Sequence, residues 1–177
     1  TGILGILSGA VPASRRRGVM ERILTDPSIT QATCYFRFYL ARALEKSGLA
    51  DRYIELLNPW RQMLALGLTT WAEKPEPTRS DCHAWSAHPT SDLLQLVCGI
   101  RPAGPGFRPV IIEPHPGPLG HVTGSVPHPL GYIRVSLDRV GLRHIHAEVS
   151  LPAGLSGTFR WKRKEVTLDS GHSEVVL

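Results

Sequence analysis

Long apolar runs, strong charge and paired cysteines are all missing from this sequence of 177 residues. No stretch approaches the roughly 20 apolar residues that cross a bilayer, which argues against a membrane span. Hydrophobic residues make up 42% and charged residues 20% of the chain, a balance that excludes a disordered protein. The net charge of +5 is small and its basic clusters are typical of solvated surface, so no nucleic-acid partner is expected.

The three cysteines, Cys34, Cys82 and Cys98, are odd in number and have no CxxC spacing. This pattern predicts buried or reduced thiols instead of a disulfide framework or a zinc site. Reduced thiols favour a cytosolic protein, while an upstream export signal would be consistent with a secreted or periplasmic one. The chain begins at Thr1 and not at Met, which indicates a processed or excised piece.

No metal or resident cofactor is expected from the remaining motifs. The glycines near residue 104 lie between a helix and a strand, the wrong order for a dinucleotide-binding loop. Four candidate metal ligands follow one another in the second half: Glu113, His115, His121 and His128. Proline-rich loops produce such spacing easily by chance, so we do not predict a metal site there.

Composition changes near Gly99 and divides the chain into two parts. Eight of the 15 prolines lie between residues 102 and 129, and six of the eight histidines follow residue 100. We therefore predict a helical domain at residues 1–100 and a stranded domain at residues 101–177, which makes the fold class α+β.

Apolar spacings of three and four residues predict short amphipathic helices in the first part. They are expected at residues 15–24 after an N-cap at Ser14, at 30–47, at 51–57, at 60–67 and at 91–98, with the tail of another helix at 1–7. Alternating apolar residues predict six strands of a small antiparallel sandwich in the second part. These strands are expected at residues 107–114, 121–127, 131–139, 142–150, 157–163 and 173–177.

Polar and aromatic residues are concentrated in the connector between the last two predicted helices, residues 69–92. The connector contains Trp71, Glu73, Arg79, Asp81, His83 and Trp85. A flat indole covers the C–H face of a pyranose, while carboxylate, guanidinium and imidazole groups bind its hydroxyls, so the connector is a candidate sugar site. The alternative is a solvated loop that its tryptophans anchor to the core.

The connector and the segment after it resemble the C-terminal part of bacterial α-L-rhamnosidases, in glycoside hydrolase family 78. Four blocks carry the resemblance: Thr-Thr-x-x-Glu from residue 69, Ser-x-Cys-His-x-Trp-Ser from 80, Gly-Ile-Arg-Pro-x-x-Pro-Gly-Phe from 99 and Val-Pro-x-Pro-x-Gly from 126. The resemblance implies the last helices of an (α/α)6 catalytic barrel, followed by a C-terminal antiparallel β-sandwich. It also implies hydrolysis of terminal α-L-rhamnosyl groups with inversion, by a general acid and a general base about 6.5–9.5 Å apart.

By the same resemblance, Glu73 stands at the position of the general base and His83 matches a histidine of the sugar pocket. The other candidate substrate-binding residues are Trp85 and Trp71, as pocket walls, and Arg79 and Asp81, which support the loop or reach a hydroxyl. The general acid of the family belongs to an acidic motif upstream of the connector. No such motif occurs before Gly67.

The favoured hypothesis is therefore the C-terminal part of an inverting glycosidase, inactive when isolated because its proton donor is missing. Its partners would be a rhamnosyl glycoside or oligosaccharide and the N-terminal part of the same polypeptide, without nucleic acid, membrane, metal or cofactor. The alternative is a non-catalytic carbohydrate-binding or structural module.

Overall fold

A computed structural model of the chain describes residues 1–74, 76–141 and 144–177. Contacts between residues divide it into two compact units, Thr1–Asp92 and Leu93–Leu177. This division falls eight residues before the boundary that composition indicates, because the helical turn Leu93–Val97 groups with the strands that follow it.

Short helices form the first unit, as the spacing of its apolar residues predicts. In its described residues these are α1 (Gly2–Ser8), α2 (Ala13–Thr25), α3 (Arg37–Lys46), α4 (Asn58–Ala65) and α5 (Pro89–Asp92), with 3₁₀ turns at Ala50–Leu57 and Ala84–Ala87. Helices α1, α2 and α3 share one core, in which Ile6, Met20 and Leu44 are fully buried. The predicted interruption at Asn58–Pro59 is the start of α4, where proline is tolerated because the first-turn amide needs no partner.

Several predicted helix bounds are wrong. The helix expected from Thr30 begins only at Arg37, because two β-branched threonines lower helix propensity in the first residues. Cys34, in the same stretch, is buried in a separate cluster with Trp60 and Met63. Ser14 lies inside α2 and does not cap it, since the helix already begins at Ala13.

Two four-stranded sheets make up the described strands of the second unit. The strands are β1 (Ile100–Pro102), β2 (Val110–Ile112), β3 (His121–His128), β4 (Gly131–Val140), β5 (His144–Leu151), β6 (Gly157–Trp161), β7 (Lys164–Leu168) and β8 (Gly171–Val176). The first sheet has the order β1-β2-β6-β7 and the second the order β3-β4-β5-β8. In β4 the apolar residues Ile133, Val135 and Leu137 are buried and alternate with outward-facing polar residues, which confirms the predicted period of two.

The strand prediction differs from the structure in several strand ends and at two further points. The three-residue β1 was not predicted, and the segment expected to be one strand at 157–163 turns at Lys162 (φ 57°) into β7. A hairpin turn normally has Gly or Asn at such a position, so the sequence carries no turn signal there. The pair β2–β6 is parallel, while the other described strand pairs are antiparallel, in agreement with the predicted antiparallel sandwich.

A close backbone approach explains one glycine of the second unit. Gly99 has φ 76°, and a Cβ built on it would collide with the backbone of Glu113. The amide of Glu113 donates to the Gly99 carbonyl at 3.0 Å, which fixes this approach. No helix in the described ranges of either unit is long and apolar enough to cross a membrane.

Candidate functional site

Backbone hydrogen bonds fold the connector into an irregular hairpin. The amide of Glu73 donates to the Ser80 carbonyl at 2.9 Å, and the amide of His83 donates to the Trp71 carbonyl at 2.8 Å. Both arms of the hairpin belong to the first unit. The connector therefore holds the side chains of residues 71–73 close to those of residues 80–83.

Arg79 binds the carboxylate of Glu73 through two hydrogen bonds. Its Nε donates to Oε2 at 2.7 Å and its Nη2 donates to Oε1 at 2.6 Å. The Glu73 side chain is 20% exposed and the Arg79 side chain is 81% exposed. A bidentate pair of this kind fixes the plane of the carboxylate, and the partial exposure of the Glu73 side chain keeps part of that carboxylate accessible to water.

The charge of Glu73 follows from the groups around it. The hydrogen bond from Arg79 holds the pKa of Glu73 below its ordinary value, and the charges of Arg79, His83 and Lys74 act in the same direction, against partial burial. The carboxylate is therefore ionised at neutral pH, as a proton acceptor must be.

Trp71 and Trp85 have different environments. Trp71 is half-buried and packs against the core cluster of Cys34, Trp60 and Met63, so it anchors the connector. Trp85 is 66% exposed, with its ring centroid 4.8 Å from that of Tyr35. Anchoring of the loop to the core, the alternative to a sugar-binding role, therefore fits Trp71 and not Trp85.

The exposed indole forms one wall of an open depression of about 400 Å³. The depression is lined by Tyr35, Phe38, Tyr39, Trp85 and His88. The half-buried ring of His83 lies beside this set, with its centroid 5.9 Å from that of Trp85 in an edge-to-face arrangement. Aromatic walls with polar groups at the rim suit a ring that is apolar on its faces and hydroxylated at its edge.

Two residues beside His83 contribute differently. The Asp81 side chain is exposed, and its backbone carbonyl accepts a hydrogen bond from the Thr70 hydroxyl, which ties the two arms of the hairpin together. Cys82 is exposed, whereas Cys34 and Cys98 are buried, and all three are free cysteines, as the prediction of buried or reduced thiols allows. Cys82 follows the exposed Asp81 in an irregular loop, so its side chain has no hydrophobic core to pack against.

A buried polar cluster under the depression was not predicted from the sequence. Nδ1 of His88 lies 2.7 Å from Oδ2 of Asp92, and Nε2 lies 3.1 Å from the carbonyl oxygen of Cys34. Both ring nitrogens of His88 therefore face oxygen atoms that can accept a hydrogen bond. Asp92 is fully buried and also accepts from Arg42.

The same cluster affects a neighbouring tyrosine. Burial raises the pKa of Tyr53, and the negative charge of Asp92 raises it further. The His88 ring meets the rings of Trp60 and Phe38 edge-on, at 5.0 Å and 6.1 Å between centroids. The charged groups thus fix the histidine that forms part of the depression. The sequence signal for this buried cluster is the spacing of four residues between His88 and Asp92, which places both residues on one side of a helical turn.

The candidate metal ligands of the second unit are not gathered into a site. Within the described ranges no three His, Cys, Asp or Glu side chains are arranged to hold a metal ion. Glu113 instead pairs with Arg101 at 2.7 Å, and His121 pairs with Asp138 at 2.7 Å.

Comparison with known protein families finds a similarity in the second unit. Residues 99–171 match the family model of the bacterial alpha-L-rhamnosidase C-terminal domain. No curated protein matches the sequence.

Solved structures extend the similarity to the whole chain. An alfa-L-rhamnosidase from Aspergillus terreus matches 99% of this chain with a TM-score of 0.85 and 21% identity, over 23% of its own length. A rhamnosidase of the GH78 family from a Bacillus species matches 92% of the chain with a TM-score of 0.80 and 26% identity, over 19% of its own length. An alpha-L-rhamnosidase from Dictyoglomus thermophilum gives a TM-score of 0.83 at 17% identity, over 98% of this chain and 24% of its own. The chain thus has the fold of the C-terminal part of these enzymes and spans about a quarter of their length or less.

Proposed function

We propose that the connector of this chain contributes the general base of an inverting glycosidase. Residues 99–171 match the family model of the bacterial alpha-L-rhamnosidase C-terminal domain. The substrate class is a terminal α-L-rhamnosyl or related glycoside. The first unit supplies the final helices of an (α/α)6 catalytic barrel, and the second unit is its C-terminal β-sandwich.

The observation that carries this proposal is the ionised carboxylate of Glu73. It is partly exposed, and its bond to Arg79 keeps its pKa low. Each carboxylate oxygen has two lone pairs, so one pair on each oxygen stays free for water while Arg79 occupies the other. The same hairpin carries His83, next to the exposed Trp85.

Glu73 acts on water in the proposed reaction. Its carboxylate accepts a proton from a water molecule as the oxygen of that water attacks the anomeric carbon from the face opposite the leaving group. The bond to the leaving oxygen breaks as a carboxylic acid protonates that oxygen. We assign this acid to polypeptide outside these 177 residues, because the sequence before the connector lacks the acidic motif of the family.

The sugar ring is held by the aromatic depression. Trp85 and Tyr35 offer faces that cover C–H groups, and His83 offers a ring nitrogen to a hydroxyl. This depression also supports the second candidate function, a carbohydrate-binding module without catalysis, since it needs no proton donor.

The substitution Glu73→Gln in a longer polypeptide that contains these residues tests the proposal. We expect hydrolysis of an aryl α-L-rhamnoside to fall by about 10²–10⁴, because the base is lost, while binding of L-rhamnose is retained. Glu76→Gln is the matched control, since it changes an exposed carboxylate of the same loop. Retained turnover in Glu73→Gln would remove Glu73 from this role.

Binding separates the two candidate functions. Trp85→Ala should abolish binding of L-rhamnose under either one. A longer polypeptide that binds the sugar, never hydrolyses it and is indifferent to Glu73→Gln would favour the module without catalysis.

A further inference from the structure

The outer face of the second sheet, β3-β4-β5-β8, carries a concave polar groove. Its volume is about 460 Å³, within the range of ligand sites. The polar side chains that line it include Thr123, Ser125, Arg134, Glu148, Ser150 and His172. The groove lies wholly inside the second unit.

Strand register brings these groups together. Arg134 on β4 is opposite Ser150 on β5, which is opposite His172 on β8, so one row of polar groups crosses three strands. Glu148 lies two residues before Ser150 on β5, on the same face and diagonal to Arg134. Diagonal neighbours in antiparallel strands are close enough for long side chains to meet.

The charged side chains of the groove differ from other charged side chains on the same sheet face, because they have no hydrogen-bond or ion-pair partner among the described residues. At one side of the same sheet face, His121 pairs with Asp138 at 2.7 Å and His146 pairs with Glu174 at 2.8 Å. In the groove, by contrast, no described residue forms a hydrogen bond or ion pair with the side chains of Arg134, Glu148 or His172.

We propose that this groove binds a neutral oligosaccharide. A carboxylate that accepts from hydroxyls, a guanidinium that donates to them and Ser and Thr hydroxyls that do both are the groups that recognise polyols. Tyr132 adds an apolar surface on the same face of β4, two residues before Arg134. It is 54% exposed, and the Arg134 guanidinium lies 5.0 Å from the centre of its ring.

Charge selects a neutral ligand over an acidic one. Glu148 offsets Arg134, so the groove lacks the clustered cations that a uronate or phosphate chain would need. An apolar partner is disfavoured because it would bury the unpaired carboxylate and guanidinium without replacing their hydrogen bonds to water. The proposal does not depend on Glu73 or on catalysis.

Two measurements on the 177-residue chain test the proposed binding of a neutral oligosaccharide. The first is a glycan microarray of neutral and uronate oligosaccharides, and the second is a calorimetric titration with the best neutral ligand. Arg134→Ala and Glu148→Gln should each raise the Kd about tenfold or more, since each removes a hydrogen bond to a charged group. Asp138→Asn is the matched control on the same sheet face and should leave the Kd unchanged. Melting temperatures should show that all three variants stay folded.

Four outcomes would overturn the proposal. The first is that the array contains no neutral ligand, which is the result expected if a protein surface covers this face. The second is a preference for uronates, and the third is a Kd that neither groove variant changes. The fourth is a loss of affinity in Trp85→Ala. The last result would move the sugar to the depression of the first unit and would leave the proposed function standing.

Discussion

Arg79 sets the properties of the one carboxylate on which the proposed chemistry depends. Its two hydrogen bonds lower the pKa of Glu73 and fix its orientation. Because the folded-state pKa is depressed, this pair stabilises the hairpin above the ordinary pKa of a glutamate. The contribution is lost as the pH falls through the folded-state pKa.

Arg79→Ala should therefore raise the pKa of Glu73 toward its ordinary value of 4.5. Carboxyl ¹³C chemical shifts followed through a pH titration measure this change directly. In a catalytically active longer polypeptide, the acid limb of the pH–rate profile should move upward in the same variant. Arg15→Ala changes an exposed arginine in the same unit and should move neither midpoint.

The buried Asp92 predicts a large stability effect. Asp92→Asn removes the negative charge that faces Arg42 and His88, and should lower the free energy of unfolding of the first unit by about 3–5 kcal/mol. Urea denaturation followed by amide NMR signals of that unit measures it. Glu55→Gln, in an exposed pair with Arg52, should cost less than about 1 kcal/mol. Equal effects in the two variants would show that Asp92 is not the counter-ion of a buried cluster.

Single residues of the site were predictable to different degrees. Glu73, His83 and Trp85 stand out in the sequence because a carboxylate, an imidazole and an indole share a loop with little apolar periodicity. The exposure of Trp85 and the anchoring of Trp71 were not predictable, since both tryptophans occur in the same composition. Asp92 was missed because nothing local shows that its partner, Arg42, lies 50 residues away in the sequence.

At the level of strands, one glycine marks where β3 meets the turn Leu93–Val97 of the second unit. A Cβ on Gly124 would lie 2.5 Å from the Sγ of Cys98, which is buried. Strand β3 therefore approaches the thiol as closely as a glycine allows.

Gly124→Ala should destabilise the second unit by about 1–3 kcal/mol, because it forces an extra carbon into a filled space. Adding Cys98→Ala to this variant should recover much of the loss, so a double-mutant cycle is the measurement. Gly120→Ala, where a Cβ meets nothing within 4 Å, is the control. Additive effects of the two substitutions would contradict this packing.

Element types were more predictable than element ends and pairings. Alternation in β4 and β5 identified two strands whose inner residues are buried, because period two follows from burial of one face. The parallel pair β2–β6 joins segments about 45 residues apart, and local alternation contains no information about such a partner. The turn at Lys162 was missed because a lysine occupies a backbone conformation that usually indicates glycine.

At the level of the whole chain, length distinguishes this protein from the solved structures that share its fold. Relatives of the same fold are four to five times longer, since the chain covers 19–24% of them. We expect the 177-residue chain alone to show no turnover of an aryl α-L-rhamnoside above the rate of its Glu73→Gln variant, because the proposed function assigns the acid that protonates the leaving oxygen to polypeptide outside these residues. A spectrophotometric assay of both chains measures this, and turnover that disappears in the variant would mean that the acid lies within these residues.

The unequal burial of the three cysteines makes the connector accessible to labelling. Burial raises the pKa of Cys34 and brings that of Cys98 to about 11, so both thiols are shielded and protonated at neutral pH, whereas Cys82 is exposed. A maleimide dye should therefore attach at Cys82, one residue from His83 in the hairpin that carries Glu73. The fluorescence of that dye would test the proposed binding of a sugar at the connector without any need for turnover.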